Sequence, residues 1–222
     1  MSLCAFSVVL CVIAFLRTIT EVHRGSTEFH RAITNTLSMK RTFIAVKIEA
    51  GEKLKEMVSD LKKALSTDLI KWVDIGKMHI TIAFIGDTGE ESVEMVSAML
   101  QKWCSGSGSF ALTLSGLGLF KSIDSPRVIW AGIGNSEKFA SLYNNVKKGL
   151  DEIRIKTEER SFNPHLTLGR IRMIKEKRIL EDMIIKYNSV PIQEVNITEV
   201  VFFESILSQT GPTYLPISSV KL

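Results

Sequence analysis

The sequence predicts an α+β protein in which sheets and helices form two lobes. Three observations predict this class. Strand-like and helix-like periodicities are mixed along residues 39–222. No glycine-rich phosphate loop follows any predicted strand, which disfavours a doubly wound nucleotide-binding sheet. The second half of the chain repeats the theme of the first, and the α+β arrangement therefore fits better than a parallel one.

The first half of this region opens with a strand and a helix. The run RTFIAVKI at 41–48 is rich in β-branched and aromatic residues, which is typical of a strand. A helix is predicted over 51–66, because apolar residues recur there at helical spacing. The run HITIAFI at 79–85 predicts a second strand, closed by Gly86-Asp87. A second amphipathic helix is predicted over 90–104.

The remaining elements follow from the same periodicities. Strands are predicted at 110–120 and 127–133, around the turn 124–126. A helix over 137–150 and the strand HLTLGRI at 165–171 come next, followed by a helix over 175–188. The last two predicted strands are 195–207 and 213–222, joined through 209–212.

Composition sets few limits on function. The 222 residues are 45% hydrophobic and 23% charged, as in an ordinary globular protein with a sizeable core. A net charge of +4 permits an anionic substrate without requiring one. The three cysteines have neither metal-ligand spacing nor an even count, so we expect no disulfide framework and a reducing, cytoplasmic location.

Residues 1–38 differ from the rest of the chain. Leu3–Leu16 is an uninterrupted apolar run of 14 residues, shorter than the roughly 20 that span a bilayer. It resembles a signal-peptide core, but no Lys or Arg precedes it and no clear cleavage site follows. An interfacial anchor with weak membrane association and an upstream start codon, with Met39 the true beginning, are the alternatives. We expect an extension at 1–38 that is mis-started or dispensable, followed by one domain at 39–222.

Two histidines carry the candidate chemistry. Outside the leader the chain has only His79 and His165, in the runs HITIAFIG and HLTLGR. Each is followed two residues later by a threonine. Since side chains alternate along a strand, His79 shares a face with Thr81, and His165 with Thr167. If the two strands are neighbours, two imidazoles and two hydroxyls converge.

That set suits cleavage of a phosphodiester without a metal. One neutral imidazole can accept a proton from water while the other, protonated, donates one to the departing oxygen. Hydroxyl and imidazolium groups can bind the charge that gathers on the phosphate oxygens. A lone histidine at a strand start is usually structural, but the repeated motif favours function. A zinc site ranks well below, since no Cys, Asp or Glu sits beside either histidine at ligand spacing.

At these residues the chain resembles the 2H phosphoesterase superfamily, and within it the bacterial and archaeal RNA 2',3'-cyclic phosphodiesterases, once called 2'-5' RNA ligases. The resemblance runs from about Met39 to Leu222. Five landmarks carry it in order: RTFIAVKI, MHITIAFIGD, PRVIWAGI, NPHLTLGR and the closing ITEVVFFES…YLPI.

The resemblance implies a bilobal fold with pseudo-two-fold symmetry, a central groove and one His-x-Thr motif per lobe. It implies metal-independent opening of RNA 2',3'-cyclic phosphate ends to 2'-phosphates, with reversible 2'-5' ligation as a further activity. Carried over by position, His79 is the general acid and His165 the general base, while Thr81 and Thr167 hold the phosphate. We expect no cofactor, no metal, no protein partner and a monomer.

Two further residues match the family. Arg170 matches an arginine near the phosphate, and Phe84 matches an aromatic residue near the base. In a regular strand both would face away from the histidines, so they reach the site only where the strand ends or bends. If they do not reach the site, we expect Phe84 to pack in the core and Arg170 to occupy a solvated or ion-paired position at the surface.

Other functions stay open. A related hydrolase could act on a small cyclic nucleotide or an ADP-ribose cyclic phosphate. A non-enzymatic module could bind a nucleotide in the same groove. Retention of both histidines and both threonines argues against a pure binder, which needs no acid–base pair.

Overall fold

The structure, a computed structural model, describes residues 39–134, 137–157, 162–209 and 211–222. The prediction for 1–38 lies outside these ranges. Lys40–Leu222 forms one compact unit. The domain boundary at Met39 stays a prediction. Within the described ranges, no helix is both long and apolar enough to cross a bilayer.

The α+β class is confirmed, with four α-helices and nine strands in the described part of the chain. The strands are β1 Lys40–Lys47, β2 Leu69–Trp72, β3 His79–Thr88, β4 Phe110–Phe120, β5 Val128–Ile133, β6 His165–Met173, β7 Pro191–Ile197, β8 Glu199–Ser208 and β9 Gly211–Lys221. The helices are α1 Glu52–Ala64, α2 Glu90–Cys104, α3 Glu137–Glu152 and α4 Lys177–Lys186. A short 3₁₀ turn, Ile75–Lys77, precedes β3.

All strands join one antiparallel sheet with a mirrored order. The order is β7-β4-β5-β6-β3-β1-β8-β9, and β2 pairs with β6 beside this path. The repeat seen in the sequence is therefore also a structural repeat. Strands β6, β5 and β4 in one half correspond to strands β3, β1 and β8 in the other. The two halves join where β6 and β3 meet, through the single antiparallel pair Ile80–Leu166.

The helices cover one face of both halves. Helices α1 and α4 pack near β7 and β4, while α2 and α3 pack against the half that holds β3, β8 and β9. Their apolar stripes and the inward side chains of the strands form one core cluster, in which Ile80 and Leu166 are fully buried. Burial of each such side chain contributes about 1.5–3 kcal/mol. The opposite face of the sheet is therefore the one left to carry polar chemistry.

The structure differs from the predicted strands at two main places. The strand predicted over 195–207 is two strands, β7 and β8, separated at Thr198. They pair with different partners, β4 and β1, so the chain crosses from one half to the other there. The segment Leu69–Trp72, where no strand was predicted, is the strand β2. Four residues carry too short a pattern to reveal a strand whose partner, β6, is about 100 residues away.

Candidate active site

The two His-x-Thr motifs meet at the junction of the halves. Because Ile80 and Leu166 are paired and both point into the core, their neighbours point to the opposite face. In an antiparallel register around that pair, His79 lies across from Thr167 and Thr81 across from His165. We call this the site face: the face of the sheet that carries His79, Thr81, His165 and Thr167.

Each histidine is held in the same way by its own chain. Nδ1 of His79 donates to the carbonyl oxygen of Lys77 at 2.9 Å, and Nδ1 of His165 donates to that of Asn163 at 2.7 Å. A carbonyl oxygen only accepts, so Nδ1 carries the proton in the neutral ring. This tautomer leaves the Nε2 lone pair of each imidazole available, and Nε2 becomes a donor when the ring is protonated.

Aromatic side chains support both imidazoles. The ring of His79 packs on Phe43 at a centroid distance of 5.0 Å and makes a T-shaped contact with Tyr214 at 4.9 Å. The ring of His165 packs edge-on against Phe120 at 4.5 Å, with Trp130 at 6.5 Å. On the His79 side, Phe43 and Phe203 are buried in a second apolar cluster that belongs to the site face.

Burial and neighbouring charge lower the pKa of both histidines. Burial is the main cause in each case, the backbone hydrogen bond at Nδ1 opposes it, and the positive charge of Arg170 adds to it. The charge of His165 also lowers the pKa of His79. A single guanidinium therefore acts on both rings, and the charge of one imidazole acts on the other.

Arg170 lies on the site face because β6 contains a bulge. Across from β5, Thr167 pairs with Trp130 and Gly169 pairs with Ile129, which leaves Leu168 as an extra residue. Leu168 is buried, and a Cβ on Gly169 would meet Ile70 and Trp72, so both positions face the core. The next residue, Arg170, returns to the face of the histidines. Its guanidinium has no ion pair with any described residue.

A matching bulge in β3 does the same for Phe84. Across from β1, Thr81 pairs with Ala45 and Ala83 with Ile44, so Ile82 is the extra residue. Phe84 then pairs with Phe43, a residue that contacts His79, and joins the same apolar cluster. The guanidinium of Arg41 lies 5.0 Å above its ring. In both strands the bulge is the bend that a regular strand lacks, and it brings Phe84 and Arg170 to the face of the histidines.

Thr81 and Thr167 are half-buried on the site face, and their hydroxyls make no hydrogen bond with another described residue. Within the described ranges, no group of three or more His, Cys, Asp or Glu side chains is placed to hold a metal ion. The arrangement thus offers two imidazoles, two hydroxyls and one guanidinium, which are groups suited to bind an anion and move protons.

Sequence reasoning missed the aromatic supports. Tyr214 and Phe43 are far apart in the chain and meet only because β1, β8 and β9 are neighbours. The closing hairpin was recognised as a strand pair, but nothing in its pattern indicated which of its side chains reaches His79.

Comparisons with known sequences show the family to which this chain belongs. The family model described as LigT-like phosphoesterase matches residues 44–130 and 133–214. The chain belongs to this family. The RNA 2',3'-cyclic phosphodiesterase of Thermotoga maritima is 32% identical over 178 residues, covering 78% of this chain and 91% of that protein. The protein of the same name from Methanocaldococcus jannaschii is 30% identical over 177 residues, covering 78% and 96%.

Solved structures show the same fold. TT0787 of Thermus thermophilus superposes with a TM-score of 0.65 at 23% identity, covering 82% of this chain and 97% of that one. LigT of E. coli in complex with 3'-AMP superposes with a TM-score of 0.64 at 20% identity, covering 83% and 99%.

Proposed function

We propose that the chain hydrolyses RNA 2',3'-cyclic phosphate ends to 2'-phosphomonoesters without a metal. The observation that carries the proposal is the meeting of two His-x-Thr motifs on one face, each imidazole with Nδ1 bound to the backbone and Nε2 available. The activity named for the relatives at 30–32% identity supports this choice of substrate.

The two histidines divide the proton transfers. Nε2 of His165 accepts a proton from water as the water oxygen bonds to phosphorus. The bond between phosphorus and the ribose 3'-oxygen breaks, and Nε2–H of His79 gives its proton to that oxygen. The products are a 2'-phosphate and a free 3'-hydroxyl, and the enzyme returns to its starting state after one proton passes from His165 to His79 through solvent.

Three groups stabilise the negative charge on the non-bridging oxygens of the phosphate. The hydroxyls of Thr81 and Thr167 and the guanidinium of Arg170 share a face with both imidazoles, so they can donate to the non-bridging oxygens. Phe84, with Arg41 over its ring, is the proposed contact for the terminal base.

Ligation requires no additional groups. A 5'-hydroxyl in the position of the attacking water would form a 2'-5' linkage through the same proton transfers. We propose it as a second, reversible reaction of the same site. The cytoplasmic location and monomeric state remain expectations, and gel filtration with light scattering tests the latter.

The experiment is a substrate panel with identification of the product. The panel holds an RNA oligomer ending in a 2',3'-cyclic phosphate, a 2',3'-cyclic mononucleotide and ADP-ribose 1'',2''-cyclic phosphate. We expect the highest kcat/KM for the oligomer and a 2'-phosphate as its product. A preference for either small substrate would move the assignment to a different hydrolase of this superfamily. Nucleotide binding without turnover of any substrate would support a binding module instead.

A further inference from the structure

The hydroxyl of Tyr214 is a polar group at the site that the mechanism above does not use. Tyr214 lies on β9, and its ring makes T-shaped contacts with two rings of the site: His79 at 4.9 Å and Phe43 at 5.2 Å. The side chain is half-buried, and its hydroxyl makes no hydrogen bond with any described residue. A tyrosine that is packed this far into a protein normally finds a hydrogen-bond partner.

The charge of Arg170 acts on the pKa of Tyr214 as it does on the pKa values of the two histidines. Burial raises the pKa of Tyr214, while the charge of Arg170 opposes that rise. The same charge lowers the pKa of His79 and of His165. The hydroxyl therefore keeps its proton across the neutral range and lies within the field of the proposed anion-binding arginine.

The two halves of the site differ at this point. Edge-on aromatic rings pack against both histidines, but the ring against His165 is Phe120, which has no hydroxyl. Of these two rings, the one with a hydroxyl therefore lies beside His79, the proposed acid. The strand that carries it is held to the turn that precedes His79, since Nζ of Lys77 donates to the carbonyl oxygen of Pro212 at 3.2 Å.

We propose that the Tyr214 hydroxyl donates a hydrogen bond to a non-bridging oxygen of the cyclic phosphate, together with Arg170 and on the His79 side of the phosphorus. A hydroxyl that keeps its proton beside a guanidinium is suited to an oxygen that carries negative charge. This inference rests on the proposed function and adds a catalytic residue to it.

The variant Tyr214→Phe tests the inference, because it removes one oxygen and keeps the ring that packs on His79. For the RNA cyclic phosphate we expect kcat/KM to fall by about 10- to 100-fold, which is the effect of one hydrogen bond to a charged group. Tyr143→Phe is the matched control. Tyr143 lies on helix α3 and stacks on Phe162, away from the histidines, and its loss of a hydroxyl should leave kcat/KM unchanged.

Substrates with one non-bridging oxygen replaced by sulfur show whether the Tyr214 hydroxyl contacts the phosphate or only supports His79. Sulfur accepts a hydrogen bond weakly, so one of the two cyclic phosphorothioate diastereomers should show little penalty from Tyr214→Phe, while the other keeps the full loss. A Tyr214→Phe penalty of the same size for both diastereomers would overturn the inference. So would a shift in the pH limbs of kcat/KM with no loss at the optimum, because the hydroxyl would then act only through His79.

The binding of product separates this inference from the proposed function. Calorimetry with a 2'-mononucleotide should show weaker binding to Tyr214→Phe than to the unaltered protein, whether or not turnover is seen; equal binding counts against the inference. Absence of turnover by the unaltered protein would contradict the proposed function. Turnover with no loss in Tyr214→Phe would contradict this inference alone.

Discussion

A single methyl group at Gly118 should disturb the support of His165. Gly118 on β4 pairs with Trp130 on β5, and the indole ring covers the glycine. A Cβ placed there would lie 2.7 Å from Cε2 of Trp130 and closer still to two other ring atoms, whereas ordinary contact begins at 3.4 Å. The backbone of Gly118 is not in the left-handed region, so the cost of Gly118→Ala comes from space alone.

The magnitude follows from that overlap. Cε2 must move by 0.7 Å to reach ordinary contact, and the two closer ring atoms must move farther. Overpacking of this kind costs about 1–3 kcal/mol, or roughly 2–10 °C in Tm for a domain of this size. Trp130 also packs on Phe120 at 5.7 Å, and Phe120 packs edge-on against His165, so the displacement reaches the proposed base. Misplacement of a catalytic group by about 1 Å costs up to 10²-fold, so we expect kcat/KM to fall by about 10-fold or more.

Thermal unfolding and steady-state kinetics measure the two effects. Gly149→Ala is the matched control, since a Cβ on this helical glycine overlaps Met99 and Trp103 at a distance from the histidines. It should lower Tm and leave kcat/KM unchanged. The double variant Gly118→Ala/Trp130→Phe should be less destabilised than the sum of its parts, because the smaller ring makes room. Unchanged stability in Gly118→Ala, or strictly additive losses, would refute the reasoning.

Three further outcomes are expected. Because burial and Arg170 lower the pKa of both histidines, the bell-shaped pH profile of kcat/KM should have its limbs below pH 6.5. The variant Arg170→Gln should move both limbs to higher pH. Limbs that do not move in this variant would count against a position of Arg170 at the site. The free energy of unfolding should fall as pH falls from 6.5 through the lowered folded-state pKa values, because the unfolded chain binds protons that the two histidines of the folded chain do not bind. Denaturant titration should show that the double variant His79→Asn/His165→Asn loses this dependence of stability on pH. An unchanged dependence would place its origin in other groups. Phe84→Leu should raise KM for nucleotide substrates with little change in kcat, and an equal KM would return Phe84 to a packing role.

The sequence predicted the elements whose pattern is local. Helix α2, for example, spans Glu90–Cys104 as its apolar spacing indicated, and both histidines begin strands as expected. Elements that depend on distant partners were harder to predict. Strand β2 has four residues and exists by pairing with β6, and the division of β7 from β8 at Thr198 leaves no gap in the apolar pattern.

The site shows the same division between local and long-range information. The pairing of His with Thr two residues later is readable from strand alternation. The bulges at Ile82 and Leu168 are not, because each depends on the register with a neighbouring strand, and they alone turn Phe84 and Arg170 toward the histidines. Tyr214 reaches His79 through the strand order of the sheet, which one chain's periodicity does not contain.

Hydrolysis of an RNA oligomer ending in a 2',3'-cyclic phosphate, in the presence of EDTA, tests the central claim most directly. The unaltered protein is compared with His79→Ala and His165→Ala. We predict full activity in EDTA, a 2'-phosphate as the product and a loss of about 10²–10⁴-fold in each variant, the usual contribution of general acid–base catalysis. Activity that EDTA abolishes and added metal restores, or that persists in both variants, would contradict the account.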